Sequence, residues 1–564
     1  MKLVECVPNF SEGRDMAVLD KISAVIKEVE GVKLLDVDPG ADTNRTVFTF
    51  IGSPQGIKEA AFRAIRKASE IIDMSRHTGA HARMGATDVC PFIPVSGVTM
   101  EECIKISEEV GERVARELHI PVYLYEYSAK TEERQNLANI REGEYEGLSE
   151  KLKDPRWKPD FGEPVFNAKS GATVMGAREF LIAYNINLNT TDTKMAKQIA
   201  NTIREKGKLK RDAQGKIVKD SEGNKVMEPG LFNHCKATGW YIDQYKQAQV
   251  TMNLTNYKVT PPHLVFDAVC DLASKMGLRV TGSELVGLIP LDAMLMSGTY
   301  YIEKQGKTAG IPDSDIIRIA VQSLGLEDIS AFEPKKKIIE YYISDRPDAL
   351  TEKTITGFCD ELSTDSPAPG GGSVAALCGS LSAALSAMVA NLTYGKKGYT
   401  QHNREMDKIG RKGQELKKHF IYAIDKDTDA FNELMAVIKT KAKTPEEESE
   451  KAKNLEEATK KATLVPLETL ELTVEALEIA EIAARLGNKN SVSDAGVAAL
   501  CAQAAAKSAY YNVVINLQNI KDEAFKTEVG GKSESILKKV YEMSSTVQSI
   551  VDEILGIKKT VGIA

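Results

Sequence analysis

Apolar and polar positions follow two different rhythms along the chain. Up to residue 290, short apolar runs that read as strands alternate with amphipathic stretches of helical period. Residues 3–7 are the first run, and the polar turn at 8–13 follows, with Ser11 as candidate cap of a helix starting near Asp15. Residues 32–37 and 45–52 predict two strands, 54–73 and 99–118 helices, and 122–126 a returning strand. A β-α-β-β-α-β order predicts a two-layer sandwich. The run 89–95 carries Pro91 and Pro94, which predicts a short strand at a sheet edge.

The order then recurs. Residues 180–188 read as a central strand, 191–206 as a helix, 207–226 as a charged hairpin or loop, and 239–242 and 248–254 as strands; a helix after Pro261 and residues 279–290 close the unit. Two related subdomains facing one another across a ligand cleft are expected. From Ile338 the rhythm changes. Residues 339–343 read as a last extended piece and 344–348 as a linker, and long stretches rich in Ala, Glu and Lys at 403–441, 445–480 and 533–557 predict an antiparallel bundle. The predicted fold class is an α+β N-terminal half, built of two related β-α-β-β-α-β-type subdomains, joined to an all-α helical-bundle C-terminal half. The divisions fall at 1–179, 180–330, a linker at 331–350, and 351–564.

Composition narrows the function classes. With 42% hydrophobic and 27% charged residues the chain of 564 is ordinary globular protein, and a net charge of -7 without a basic patch speaks against nucleic-acid binding. Eight scattered cysteines without a CxxC pair, and a start lacking an apolar signal core, predict reduced thiols in the cytoplasm. Residues 374–392 are long enough to cross a bilayer, yet their Ala, Ser and Gly content reads as a closely packed helix in a bundle or dimer. No membrane partner is expected.

Chemistry concentrates in residues 75–95, where His77, His81, Arg76, Arg83 and Asp88 stand between glycines. No acidic or cysteine ligand completes a metal set beside the two histidines, so no metal is expected. One imidazole suits a general base, with the arginines attracting an anionic substrate and Asp88 orienting a ring nitrogen. In the helical half, the glycine-rich turn ending in Gly371, Gly372 and Ser373 leads into a helix with Ser373 as candidate cap, and exposed amides there suit an anion. A second polar cluster joins Asp425, Asp427 and Asp429 with residues 487–494, Asn512 and Asn516, in no calcium-loop pattern.

VECVPNFSEGR, LLDVDPGADTNRTV, DMSRHTGAHARMGATDVCPFIPV, GAREFLIAYNINL and SPAPGGGSVAAL, in this order along essentially the whole chain, resemble the formiminotransferase-cyclodeaminase family of histidine degradation. The resemblance implies a first half that transfers the formimino group of N-formimino-L-glutamate to N5 of tetrahydrofolate, and a second half that cyclises 5-formiminotetrahydrofolate to 5,10-methenyltetrahydrofolate with loss of ammonia. It places the catalytic histidine at His81, with Asp38 beside it, and catalytic carboxylates at Asp427 and Asp494. Arg45, Arg83 and Arg178 are candidates for substrate carboxylates by charge, His77 reads equally as a substrate contact or a loop brace, and Ser373 and Asn488 are candidate contacts in the second half. Ala82 stands where the family carries proline. The folate co-substrate is expected to be polyglutamylated, with Lys396 and Lys397 holding its tail, and the assembly is expected to be a homo-oligomer built from dimers. Two rivals remain: a folate-binding protein with one inactive half, and a formyltransferase using N-formylglutamate.

Overall fold

A computed structural model describes residues 2–41, 43–79, 82–343 and 349–557. The linker residues 344–348 lie outside the described residues. The chain divides into two units, Met1–Ala293 with Gly325–Tyr342, and Met294–Leu324 with Ile343–Ala564.

The first unit holds two larger sheets that share a four-strand core order, beside the two-stranded pair Lys208–Leu209 and Met227–Glu228. In the seven-stranded sheet Val32–Gly40 pairs with Arg45–Gly52, which pairs with the collinear Leu3–Cys6 and Asn9–Phe10, and these pair with Thr87–Ser96. Thr173–Ala177 and Val122–Leu124 extend it in parallel. The four-stranded sheet runs Cys235–Ile242, Gln247–Leu254, Ile182–Leu188, Val280–Val286, all antiparallel. In both, the first strand of the repeat lies inside the sheet, flanked by the third and the fourth.

Helices Met16–Lys27, Pro54–Ile71 and Met100–Leu118 cover one face of the larger sheet, and their apolar stripes join its alternate residues in a core including Val4, Cys6, Phe48, Phe50 and Phe92. Thr99 and Glu102 form a capping box. Ser11 does not cap the first helix. Asp15 does, because its carboxylate is two residues from the free amide of Ala17, whereas the Ser11 hydroxyl donates to the Gly85 carbonyl at 2.7 Å.

Two other expectations are corrected. Thr87–Ser96 is interior to the sheet, since its buried run Val89–Ile93 is covered on both edges, and two missing proline donors do not prevent that. Residues 339–343 are helical, a distinction that five apolar-rich residues cannot carry by periodicity.

In the second unit Gly371–Thr393, Asn403–Lys439, Pro445–Leu486, Val492–Leu517 and Glu523–Leu555 form the bundle. Alanine is the commonest residue of its core, with Leu416, Phe420, Leu470 and Leu477 among the larger side chains that fill it. Gly371–Thr393 has the length and hydropathy, 1.7 on average, of a membrane span, but 61% of that window is buried in the bundle. Small residues allow this: a Cβ on Gly379 would lie 2.5 Å from the Phe420 ring. Asp313–Ser323 belongs to this unit as well, and Lys418 pairs with Asp313.

Candidate active sites

The face of the larger sheet turned away from its helices is one wall of a cavity of about 1580 Å³. Strand alternation puts it there: with Val4 and Cys6 in the core, Glu5 points the other way, and with Phe48 and Phe50 in the core, Arg45, Val47 and Thr49 do so too. A cross-strand row Asp38, Val47, Asn9, Val89 lines this wall, and a row Lys236, Asn253, Ala183, Val286 on the smaller sheet lines the same cavity.

Both signs of charge meet here. Arg45 donates to Asn9 Oδ1, and burial lowers its guanidinium to about 10, so it stays protonated at neutral pH. Arg178 lines the cavity and donates from Nη1 to the Glu179 carbonyl at 2.9 Å. Burial raises the carboxyls of Asp36, helped by Asp38, and of Glu126, opposed there by Lys236, Arg178 and His234. His234 holds a left-handed φ of 54° on the rim, and its amide donates to Glu205 Oε2.

The histidine loop is described up to Gly79 and from Ala82, so His81 lies outside the described residues. Its flanks are firmly held. His77 uses both ring nitrogens: Nε2 stands 2.8 Å from the Asn44 carbonyl, and Nδ1 accepts from Arg83 Nε at 3.2 Å. This is the geometry of a brace. Arg83, buried, forks onto Glu144 and Glu146, which neutralise the charge that the sequence offers to a substrate. A Cβ on Gly79 would fall 2.2 Å from the Thr43 carbonyl oxygen, so only glycine lets the loop lie on that turn.

Among the described residues, Asp88 orients no ring nitrogen. Fully buried, it pairs with Arg141 and accepts from the Met84 amide at 3.0 Å, anchoring the far end of the loop. Arg141→Ala should therefore cost about 3–5 kcal/mol of stability by stranding a buried charge, read as a lowered denaturation midpoint.

The helical half corrects another expectation. Ser373 is not a cap: Gly370 is the N-cap of Gly371–Thr393, and the buried Ser373 hydroxyl lies 3.1 Å from both the Ile424 carbonyl and Asp427 Oδ2. Burial pushes the Asp427 carboxyl above the usual range, and the hydroxyl and amide of Ser373 partly offset this. No side chain caps the helix, so the amides of Gly371 and Gly372 open beside that carboxyl, with the Asn512 amide on the other side. Asp425 belongs elsewhere, accepting from the Leu350 amide and the Thr351 hydroxyl.

Asn488, Lys396 and Lys397 gather at the opposite end of the same helix. The Asn488 amide donates to Thr393 Oγ1 at 2.8 Å, about 30 Å of helix from Ser373. Asp494, in the first turn of Val492–Leu517, is about 27 Å from Asn512 along that helix. Within one chain the two carboxylates named for the second reaction thus stand apart.

Sequence reasoning missed Glu5, Tyr125, Arg141, His234 and Lys236. Alternation along the first strand signals Glu5; nothing in the sequence signals His234 or Lys236, which arrive from the second sheet. Among the described residues, no group of three or more His, Cys, Asp or Glu is placed to hold a metal ion.

Two chemically distinct sites, a charged cleft between paired α+β sandwiches and a buried carboxyl at an open helix start, define a two-site enzyme of small-molecule group transfer. Residues 3–178 match the family model described as formiminotransferase domain, N-terminal subdomain, residues 183–344 that of the formiminotransferase domain, and residues 354–535 that of formiminotransferase-cyclodeaminase. Formimidoyltransferase-cyclodeaminase of Mus musculus is 41% identical over 548 residues, 97% of this chain and 98% of that one. Glutamate formimidoyltransferase of Streptococcus pyogenes serotype M1 is 43% identical over 302 residues, 54% of this chain and 94% of that one. Methenyltetrahydrofolate cyclohydrolase of Methylorubrum extorquens is 37% identical over 199 residues, 35% of this chain and 96% of that one. The chain belongs to the formimidoyltransferase-cyclodeaminase family.

Proposed function

We propose that the chain performs two consecutive folate reactions of histidine degradation: formimino transfer from N-formimino-L-glutamate to N5 of tetrahydrofolate in the α+β unit, then cyclisation of 5-formiminotetrahydrofolate to 5,10-methenyltetrahydrofolate with release of ammonia in the helical unit. The observation that carries this reading is the near-full-length match, through both halves, to relatives named for both activities.

In the cleft, His81 takes the N5 proton as that nitrogen attacks the formimino carbon, and returns a proton to the departing glutamate nitrogen. Arg45 and Arg178, both on the cavity wall, receive glutamate carboxylates, and Asp38 holds the imidazolium that forms. In the bundle, N10 attacks the same carbon, and Asp427, whose burial favours the protonated carboxyl, gives a proton to the leaving ammonia and takes up the one that N10 sheds.

Homo-oligomers suit the helical surface. Leu381, Met388 and Leu392 on one helix, and Val497, Leu500 and Tyr511 on its neighbour, are exposed apolar residues that a second copy would cover. A two-fold pairing of this face about an axis perpendicular to its helices would bring the Asp427 end of one chain toward the Asp494 end of its partner. Leu500→Glu should then convert the oligomer to smaller species in sedimentation and lower ammonia release with it; an unchanged sedimentation profile would refute the surface. Lys396 and Lys397, two adjacent cations in the turn at that end, hold the polyglutamate tail in this reading, and eight unpaired cysteines fit a cytoplasmic setting.

The cyclohydrolase relative favours a second reading of the helical unit, in which water adds to methenyltetrahydrofolate. Purified protein with tetrahydrofolate and N-formiminoglutamate decides between them. Glutamate and ammonia released with growth of methenyltetrahydrofolate absorbance supports the first reading, and glutamate without ammonia the second. Use of N-formylglutamate instead would point to a formyltransferase, and release of neither product to a folate-binding protein.

A further inference from the structure

Glu5 is an unusual member of the cavity wall. It is 4% exposed, it lines the cavity, and among the described residues no protein group hydrogen-bonds its carboxyl. Buried polar groups in folded proteins nearly always have a partner, because leaving one without costs the full desolvation penalty. Arg178 and Glu340 act on this carboxyl with opposite sign, and burial outweighs both, raising it to about 7. The Cys6 thiol on the neighbouring residue is itself raised by burial and supplies no countercharge.

The cavity offers aliphatic side chains beside its charged ones. Val7, Leu181, Val286, Leu288 and Ile339 line the same cavity, so a flat ring entering here meets aliphatic walls and, past its edge, a carboxyl waiting for N–H donors. A pterin has that form. Its 2-amino group and N3–H lie side by side on one edge, matching the two oxygens of a carboxylate in a fork of charge-assisted hydrogen bonds.

We infer that Glu5 binds the 2-amino and N3–H edge of tetrahydrofolate's pterin ring and seats it in the cleft with N5 facing the histidine loop. This rests on the folate reading given above. The spacing agrees with it. Glu5 is in register with Ile51, six residues along the strand from Arg45, whose neighbour Asn44 braces His77, so the carboxyl and the loop are about 20 Å of strand apart. A formamidinium held at Glu5 would stop a ring's length short of the loop.

The test is Glu5→Gln in the full chain, with glutamate release measured against each substrate in turn. The amide keeps the shape but sets an N–H against the ring's own donors. KM for tetrahydrofolate should rise about 30-fold or more, with KM for N-formiminoglutamate changed little. Melting temperature separates binding from structure. The raised folded-state value means that the wild type loses stability as pH climbs from 4.5, the ordinary value, to about 7, and stays at that cost above it. Glu5→Gln should therefore melt higher than wild type above pH 7, with the gain vanishing below 4.5. An unchanged KM for tetrahydrofolate overturns the assignment, as does a rise confined to N-formiminoglutamate or a variant that melts lower at pH 8. A wild type that releases no glutamate sinks the transferase reading itself, a result separate from any of these.

Discussion

Replacing His81 with alanine should lower glutamate release by about 10²–10⁴-fold while conversion of supplied 5-formiminotetrahydrofolate proceeds at the wild-type rate. The size follows from proton transfer: attack by N5 leaves a proton on nitrogen that must depart before the glutamate nitrogen can leave protonated. The surroundings argue for His81 over His77, both of whose ring nitrogens are engaged by Asn44 and Arg83. His77→Asn should cost less, through loop position, and raise both KM values together. Parallel losses in both reactions for His81→Ala would count against the assignment, since a base in the cleft has no part in cyclisation.

The second large effect belongs to the bundle. Asp427→Asn should reduce ammonia release by about 10²–10³-fold and let 5-formiminotetrahydrofolate accumulate, with glutamate release intact. Burial favours the protonated carboxyl, so the wild-type rate should decline as pH rises past that raised value, and the residual asparagine rate should lack this limb. Gly372→Ala tests the same contact without touching the acid. Its Cβ would lie 2.1 Å from Asp427 Oδ1, so the carboxylate must move away from the helix start, and the rate should fall with it. Gly371→Ala, whose Cβ would meet the Asn512 amide at 3.2 Å, is expected to be milder. Equal activity in wild type and Gly372→Ala would mean that the carboxyl's position does not matter, and so that it is not the acid.

Much of the architecture was legible before any coordinates. Alternation and helical period expose the repeated β-α-β-β-α-β order and the change to a bundle, because each element must bury one face and its sequence records which. Local signals decided less well where several partners compete. Ser11 and Asp15 are both good caps by type, and only the position of Gly85 shows that the Ser11 hydroxyl is already engaged. Thr87–Ser96 carries prolines and reads as an edge, yet it lies inside the sheet because strands far away in sequence cover both its sides.

The sites divide in the same way. The sequence by itself determined the reacting groups: a histidine between glycines, a glycine-rich helix start, and a set of candidate arginines and aspartates. Tertiary structure alone decided which of them line the cavity. Arg83 is spent on Glu144 and Glu146, and Asp88 on Arg141, whereas Arg45 and Arg178 keep a place on the cavity wall. It brought Lys236 and His234 in from the second sheet, turned Glu5 to the cavity side of its strand, and set Asp427 and Asn488 at opposite ends of one helix. The reason is physical: residue type sets what a side chain can do, while partners and solvent set its charge, direction and freedom, and those come from contacts distant along the chain.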